Sequence, residues 1–476
     1  MTTPTRIDET VSAGPLHALL RRVVDVRPGE VRVMLLSCLY FFFALSSYFI
    51  MRPIRDEMAV ASGVRTLPWL FAGTLAAMLI ANPLYAAVVS RLPVRKFVAV
   101  TYGFLAANLL VFYVLWRAHV AEVAVGRAFF IWTSVYALFV PSVFWGVMAD
   151  TFHETQAKRL FGFIAVGGTL GSISGSAITS FFVQSVGVPN LLLVSATLIV
   201  LAIAIVASLP RPAVAEAFPR DADSRAGGHH REVIGGGAFS GMTHVLRSPY
   251  LAGIAAFLLL YTFGNTVMYF AQTDIIGRAY EDRELRTAVL ARIELTVQTI
   301  AALGQAFLTA RIIRWAGLSV TLAAVPLVSI IGFAALGSTA WGMLPLVATF
   351  AVFGIARRSI EFMLTNPSRK ILFTVISRED KYKANSFIET VVYRAGDQMF
   401  SWGFNLLLGI GLTLTGLSWI AVPVSMVYLA LGVWLGKRQR DLASQQSGAP
   451  PVAGPRGGPT TTPAIAQPAA GRASTN

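Results

Sequence analysis

The sequence predicts an all-α, polytopic membrane protein of about twelve transmembrane helices in two six-helix halves. Three observations predict it. Hydrophobic residues fill 55% of the 476 positions and charged residues only 13%, against roughly 25% charged in a soluble domain. Runs of about twenty residues recur that are apolar on every face, and in lipid such runs satisfy their own backbone groups only as helices. A polar stretch rich in Pro, Gly and Arg divides these runs into two sets of six.

Residues 1–32 form a cytoplasmic N-terminal segment in which Leu16, Leu19, Leu20 and Val23 share a face beside Arg21 and Arg22. That pattern suits an interfacial helix or a frayed lead-in. Spans near 33–58, 67–90, 96–116, 124–148, 160–186 and 190–209 make the first half, 33–209. Residues 210–248, with the His229-His230 pair, form a cytoplasmic central loop. Spans near 250–272, 287–310, 317–337, 342–362, 384–409 and 415–436 make the second half, 249–436. Residues 437–476, rich in Pro, Ala, Gly, Ser and Thr, are expected to be a disordered cytoplasmic tail.

The formal net charge is +15. Basic residues collect in the cytoplasmic loops of membrane proteins, beside anionic lipid, so this balance calls for no nucleic-acid partner. Arg91, Arg95, Lys158, Arg159, Arg311, Arg314 and the basic residues of the central loop fall on one side, and the loops after spans five, nine and eleven carry no Lys or Arg. The bias places both termini inside, in a bacterial inner membrane, with the first span as the insertion signal. Cys38 is the single cysteine, which excludes an internal disulfide and a cysteine zinc cluster. No zinc-ligand spacing, Ser–His–acid arrangement or nucleotide-hydrolysis motif appears, so neither an enzyme nor a cofactor is expected. Lys158-Arg159 precede Phe163-Ile164 as Tyr382-Lys383 precede Phe387-Ile388, each opening the fifth span of its half. Two parallel repeats of this kind make the major-facilitator-like arrangement, with one cavity between the halves.

Ionisable groups inside spans cost several kcal/mol and normally face protein or a water-filled path. Three clusters qualify. In the first span, Arg52 and Arg55 stand with Asp56 and Glu57 around Pro53, at a point where the span ends or kinks. Arginine forks suit carboxylate and phosphate, so Arg52 and Arg55 are substrate-binding candidates and Asp56 a counter-charge; a snorkelling helix end is the plainer reading. In the eighth span, Glu294, Gln298 and Gln305 share one face near Arg292, lining a cavity or joining two helices. In the eleventh, Asn385, Glu389, Tyr393 and Asp397 recur at helical spacing with Arg394 alongside, facing a pore or forming an interhelical lock. Gly167, Gly168, Gly171 and Gly175 allow close helix contact in the fifth span and are no phosphate loop.

Three patches resemble one family. Ile50-Met51-Arg52-Pro53-Ile54-Arg55-Asp56, then Phe144-Trp145-Gly146 with Ala157-Lys158-Arg159, then Asn366-Pro367-Ser368-Arg369-Lys370 with Lys381-Tyr382-Lys383 through Glu389, are similar in order to motifs of the ATP/ADP translocases of plastids and obligate intracellular bacteria. The likeness spans roughly 33–436. It implies a nucleotide antiporter, with Arg52, Arg55 and Arg394 on the family's basic positions. Asp397 stands where the family has Lys, and Thr133 and Met268 fall near its charged positions. The resemblance thus implies a distant bacterial member whose substrate is open.

The expected function is a secondary active transporter working by alternating access on an anionic, nucleotide-like small molecule. Arg52, Arg55, Arg394, Gln298, Tyr393 and Asn385 would bind it, and Asp56, Glu294, Glu389 and Asp397 would supply counter-charge or coupling, with protons as the coupling ion. A proton-coupled carrier of another solute and a non-transporting scaffold are the alternatives.

Overall fold

A computed structural model describes residues 25–209, 242, 245, 247–376, 384, 385 and 387–448. The interfacial lead-in up to residue 24, the His229-His230 pair and the tail from 449 lie outside these residues. Everything regular among the described residues is helical. The first half comprises α1 (Val31–Ser62), α2 (Leu67–Arg91), α3 (Val94–Arg117), α4 (Glu122–Thr151), α5 (Glu154–Val186) and α6 (Val188–Ser208). The second comprises α7 (Pro249–Ala279), α8 (Arg283–Phe307), α9 (Thr309–Ser338), α10 (Leu346–Ile360 with Glu361–Thr365 and Asn366–Leu372), α11 (Ile388–Val392 with Tyr393–Gly409) and α12 (Leu414–Gly448). Among the described residues ten helices are long and apolar enough to cross a membrane.

The remaining two segments are broken, each by a π-helical turn. The α10 segment runs Leu346–Ile360, widens through Glu361–Thr365 and resumes as Asn366–Leu372. The α11 segment opens with a π turn, Ile388–Val392, and continues as Tyr393–Gly409. Such single-turn bulges cluster at functional positions, and here both adjoin the charged residues described below.

Several boundaries differ from the sequence expectation, with α5 opening at Glu154 and α7 ending at Ala279, and three of the differences have a plain physical cause. The α1 helix does not end near residue 58: it continues through the buried Pro53 to Ser62 and carries Arg52–Glu57 within it. Those charges therefore face the interior of the bundle rather than a helix end. The α9 helix begins eight residues early and breaks at Gly317, where φ is 75°, a conformation that glycine adopts at little cost. The α12 helix runs past Lys437 to Gly448, because Lys437-Arg438-Gln439-Arg440 and the residues after it are sound helix formers.

Small residues build the tightest packing, between α1 and α5. A methyl group on Gly167 would run into the Cys38 carbonyl oxygen, one on Gly171 into that of Phe42, and one on Gly175 into that of Ser46. Every fourth residue of one helix therefore seats against every fourth of the other. Hydroxyls complete the seam. Ser46 Oγ donates to the Gly171 carbonyl at 3.1 Å, and Thr179 Oγ1 donates to that of Ile50 at 3.1 Å. The structural role expected for this glycine stripe is the one observed.

The halves meet along α1, α5 and α8, and again where α2 packs on α11. At the Ser62 end of α1 they share apolar clusters, one joining Leu67, Leu70 and Phe130 to Phe263 and Phe270, another joining Val60 to Ile275, Ile276 and Leu290. Replacing Gly171 by Ala should force the α1 backbone aside and destabilise the protein by about 1–3 kcal/mol. Gly162, whose added methyl group meets nothing within 4 Å, serves as control: Gly162→Ala should leave the thermal midpoint in detergent unchanged while Gly171→Ala lowers it.

Candidate functional site

A cavity of about 470 Å³ lies between the halves, walled by α1, α2 and α4 on one side and α7, α8, α10 and α11 on the other. That volume suits a small solute. Its lining includes five arginines, Arg52, Arg55, Arg357, Arg358 and Arg394, against three acids, Asp56, Glu361 and Asp397, with aromatic rings between them.

Each charge is held by identifiable partners. Glu294, 3% exposed on α8, bridges the halves: its Oε1 lies 3.2 Å from Arg52 Nη1 of α1 and its Oε2 2.7 Å from Arg358 Nη2 of α10. Gln298 Nε2 donates to the same carboxylate at 2.8 Å and its own Oε1 accepts from Ser172 Oγ of α5 at 3.4 Å. One turn further along α1, Arg55 Nε stands 3.4 Å from Asp56 Oδ1 and its guanidinium 4.6 Å from the Phe130 ring centre. Tyr269 of α7 donates to Asp56 at 2.9 Å and accepts from Arg55 at 3.4 Å. On α11, Arg394 and Asp397 lie 3.6 Å apart. Arg357, 2% exposed, donates to Ser329 Oγ of α9 at 3.2 Å and to Asn265 Oδ1 of α7. Glu361, 6% exposed, accepts from the Tyr261 hydroxyl.

Beyond the cavity, toward the Ser62 end of α1, the halves are locked together. Glu57 is fully buried and meets Arg283 at 3.2 Å and Arg286 at 2.7 Å, both on α8. Trp69 of α2 and Trp402 of α11 meet edge to face with ring centres 5.0 Å apart. Among the described residues every ion pair across the halves joins α1 to α8.

Of the residues proposed from sequence, Arg52, Arg55, Asp56, Tyr393, Arg394 and Asp397 line the cavity together. Glu294 sits directly behind the lining, and Gln298 belongs to the seam between α8 and α5. Glu389 and Asn385 do not join them. Glu389 is exposed and pairs with Arg369 of α10 at 3.4 Å; Asn385 is half-buried before the π turn. The expectation of a common face for Glu389, Tyr393 and Asp397 assumed 3.6 residues per turn, and the π turn at Ile388–Val392 breaks that phase. Arg292 is exposed, and Gln305 donates to the Phe362 carbonyl of α10, a helix-joining role. Met268 lines the cavity, whereas Thr133 is buried with its hydroxyl unpartnered.

The sequence reading missed Arg357, Arg358 and Glu361, along with Tyr261, Asn265 and Tyr269 of α7. The signal for the first three was present. Three ionisable residues within the run 342–362 meet the same test that singled out the first, eighth and eleventh spans.

Neither a protein-family model nor a curated protein matches the chain. Solved structures do. A bacterial homologue of the iron transporter ferroportin, in an inward-facing state, aligns at a TM-score of 0.57 with 12% identity over 87% of this chain and 100% of that one. The inward-open xylose transporter XylE from E. coli aligns at 0.55 with 11% identity over 83% and 94%. A bacterial homologue of the human lysosomal transporter Spinster, inward-facing and unoccupied, aligns at 0.51 with 13% identity over 89% and 98%. The chain is thus a multi-pass, all-α membrane protein of the major-facilitator-like fold, with its cavity at the interface of the two halves.

Glu294 compensates two arginines at once, so its loss leaves both unneutralised. Glu294→Gln should cost about 3–5 kcal/mol of stability, read as a lowered thermal midpoint, and Arg52→Gln in that background should recover part of the loss.

Proposed function

We propose that this protein is a secondary active transporter of the bacterial inner membrane, working by alternating access on a small solute that presents an anionic group. One observation carries the reading: five arginines from both halves converge on a single cavity, and its three lining acids together with Glu294 behind them leave one positive charge in excess. Positive charge focused in a low-dielectric cleft attracts and orients anions. The similarity of Ile50–Asp56 and of the Arg394 region to ATP/ADP translocases supports the same sign of substrate, and the transporters of like fold support the mechanism. With both termini cytoplasmic, the Glu57–Arg283–Arg286 lock lies on the outer side of the cavity. Asp397, next to Arg394, replaces the cation of the resembling family and argues against a substrate as highly charged as ATP.

Alternating access requires the α1–α8 contacts to break and re-form, a two-state arrangement that a fixed scaffold has no use for. Uptake into proteoliposomes, screened over nucleotides and small organic anions, tests the reading. Arg55→Gln and Arg394→Gln should each lower uptake of any accepted anion by about tenfold or more while the amount of protein in the membrane stays the same. Undiminished uptake in both variants would sink the anion assignment.

A further inference from the structure

Four of the five cavity arginines already have a carboxylate within 4 Å: Arg52 and Arg358 share Glu294, Arg55 has Asp56, and Arg394 has Asp397. Arg357 and Glu361 are the exceptions. Among the described residues no carboxylate comes within 4.0 Å of Arg357, and no basic group comes within 4.0 Å of Glu361. Both line the cavity, at 2% and 6% exposure. They stand four residues apart on α10, a spacing at which side chains of opposite charge ordinarily meet.

Neutral neighbours keep them apart. Ser329 and Asn265 accept from Arg357, and Tyr261 donates to Glu361. None of these partners can cancel a charge, and a buried charge without a counter-charge is costly. The pair is thus a preformed dipole, one positive and one negative pole, set in the cavity wall. Its complement is a molecule with the opposite poles.

We infer that Arg357 and Glu361 form a substrate subsite for a zwitterion, with a carboxylate on Arg357 and an ammonium group on Glu361. The inference rests on the transport reading and narrows its substrate. Glu361 repels a second anionic group, so a polyanion is disfavoured at the same place. Tyr261 joins the two poles: its hydroxyl donates to Glu361 and its ring lies 5.6 Å from the Arg357 guanidinium, with the Tyr393 ring, which also lines the cavity, 6.4 Å away as a face suited to an ammonium group. Residues at this spacing have Cβ atoms about 5–6 Å apart, which suits a short chain between the charged ends. Arg55–Asp56 and Arg394–Asp397 then shape the field of the cavity, each pair being neutral in itself.

Thermal unfolding of the purified full-length protein in detergent tests the subsite. The probes are glycine, β-alanine, γ-aminobutyrate and ε-aminocaproate, each beside the carboxylate lacking the amine and the amine lacking the carboxylate, with ATP as the polyanion. At least one zwitterion should raise the midpoint in a dose-dependent way where neither half-molecule does at equal concentration. Arg357→Gln and Glu361→Gln should each weaken the response by about tenfold or more. Lys158→Gln, on an exposed helix face paired with Glu154, should keep it. The unliganded midpoints show whether the variants fold. If either glutamine variant does not, Arg357→Lys and Glu361→Asp, which keep the charge but shift it, should retain a weakened response. The inference fails if no zwitterion stabilises the protein, if ATP or a plain carboxylate does so as well, or if the response survives both glutamine substitutions. Uptake of a polyanion that is lost in Arg55→Gln and Arg394→Gln would overturn this subsite and leave the transport reading standing.

Discussion

A charge cannot rest against lipid without a cost of several kcal/mol, and most of this architecture follows from that constraint. Arg52, Arg55, Asp56 and Glu57 occupy two turns of one helix, so α1 must be enclosed on nearly every side. The glycines of α5 enclose it on one flank, letting backbone meet backbone. On the other flank α8 supplies Glu294, Arg283 and Arg286. The cavity is the space left where these charges face one another across the halves.

The two halves answer the constraint differently. In the first half the α1–α5 seam is a regular four-residue ladder with no room for adjustment. In the second, α10 and α11 each give up α-helical bonding for a turn, and five of the charged or phenolic groups of the cavity, Arg357, Arg358, Glu361, Tyr393 and Arg394, lie within or just beside those turns. A stiff body therefore faces one whose helices already contain the wider turns at which a helix can change its pitch.

The fold was legible because its signal is compositional: runs apolar on all faces have one solution in lipid, and the break between the two sixes is visible in Pro, Gly and Arg. The charged stretches of the first and eleventh spans were legible for the opposite reason, as rare charges in apolar surroundings. Arg357, Arg358 and Glu361 were equally rare, but they close a run that already read as a complete span. Tyr261, Asn265 and Tyr269 carry no charge and resemble ordinary span residues until the partner helix is known. The π turns left no mark in residue pattern, since Ile388-Glu389-Thr390-Val391-Val392 reads as ordinary helix. The misplacement of Glu389 follows directly from that.

The π turn of α11 also bears on how such a protein diversifies. A π turn amounts to one residue more than an α-helix needs, held in place without disturbing either flank. Losing a single codon there would restore regular winding and leave both flanks facing as they do, so only residues within the turn would change their direction. Glu389 is one of those residues. A change in length alone would therefore re-aim that carboxylate at the rim while Tyr393, Arg394 and the rest of the cavity lining kept their places.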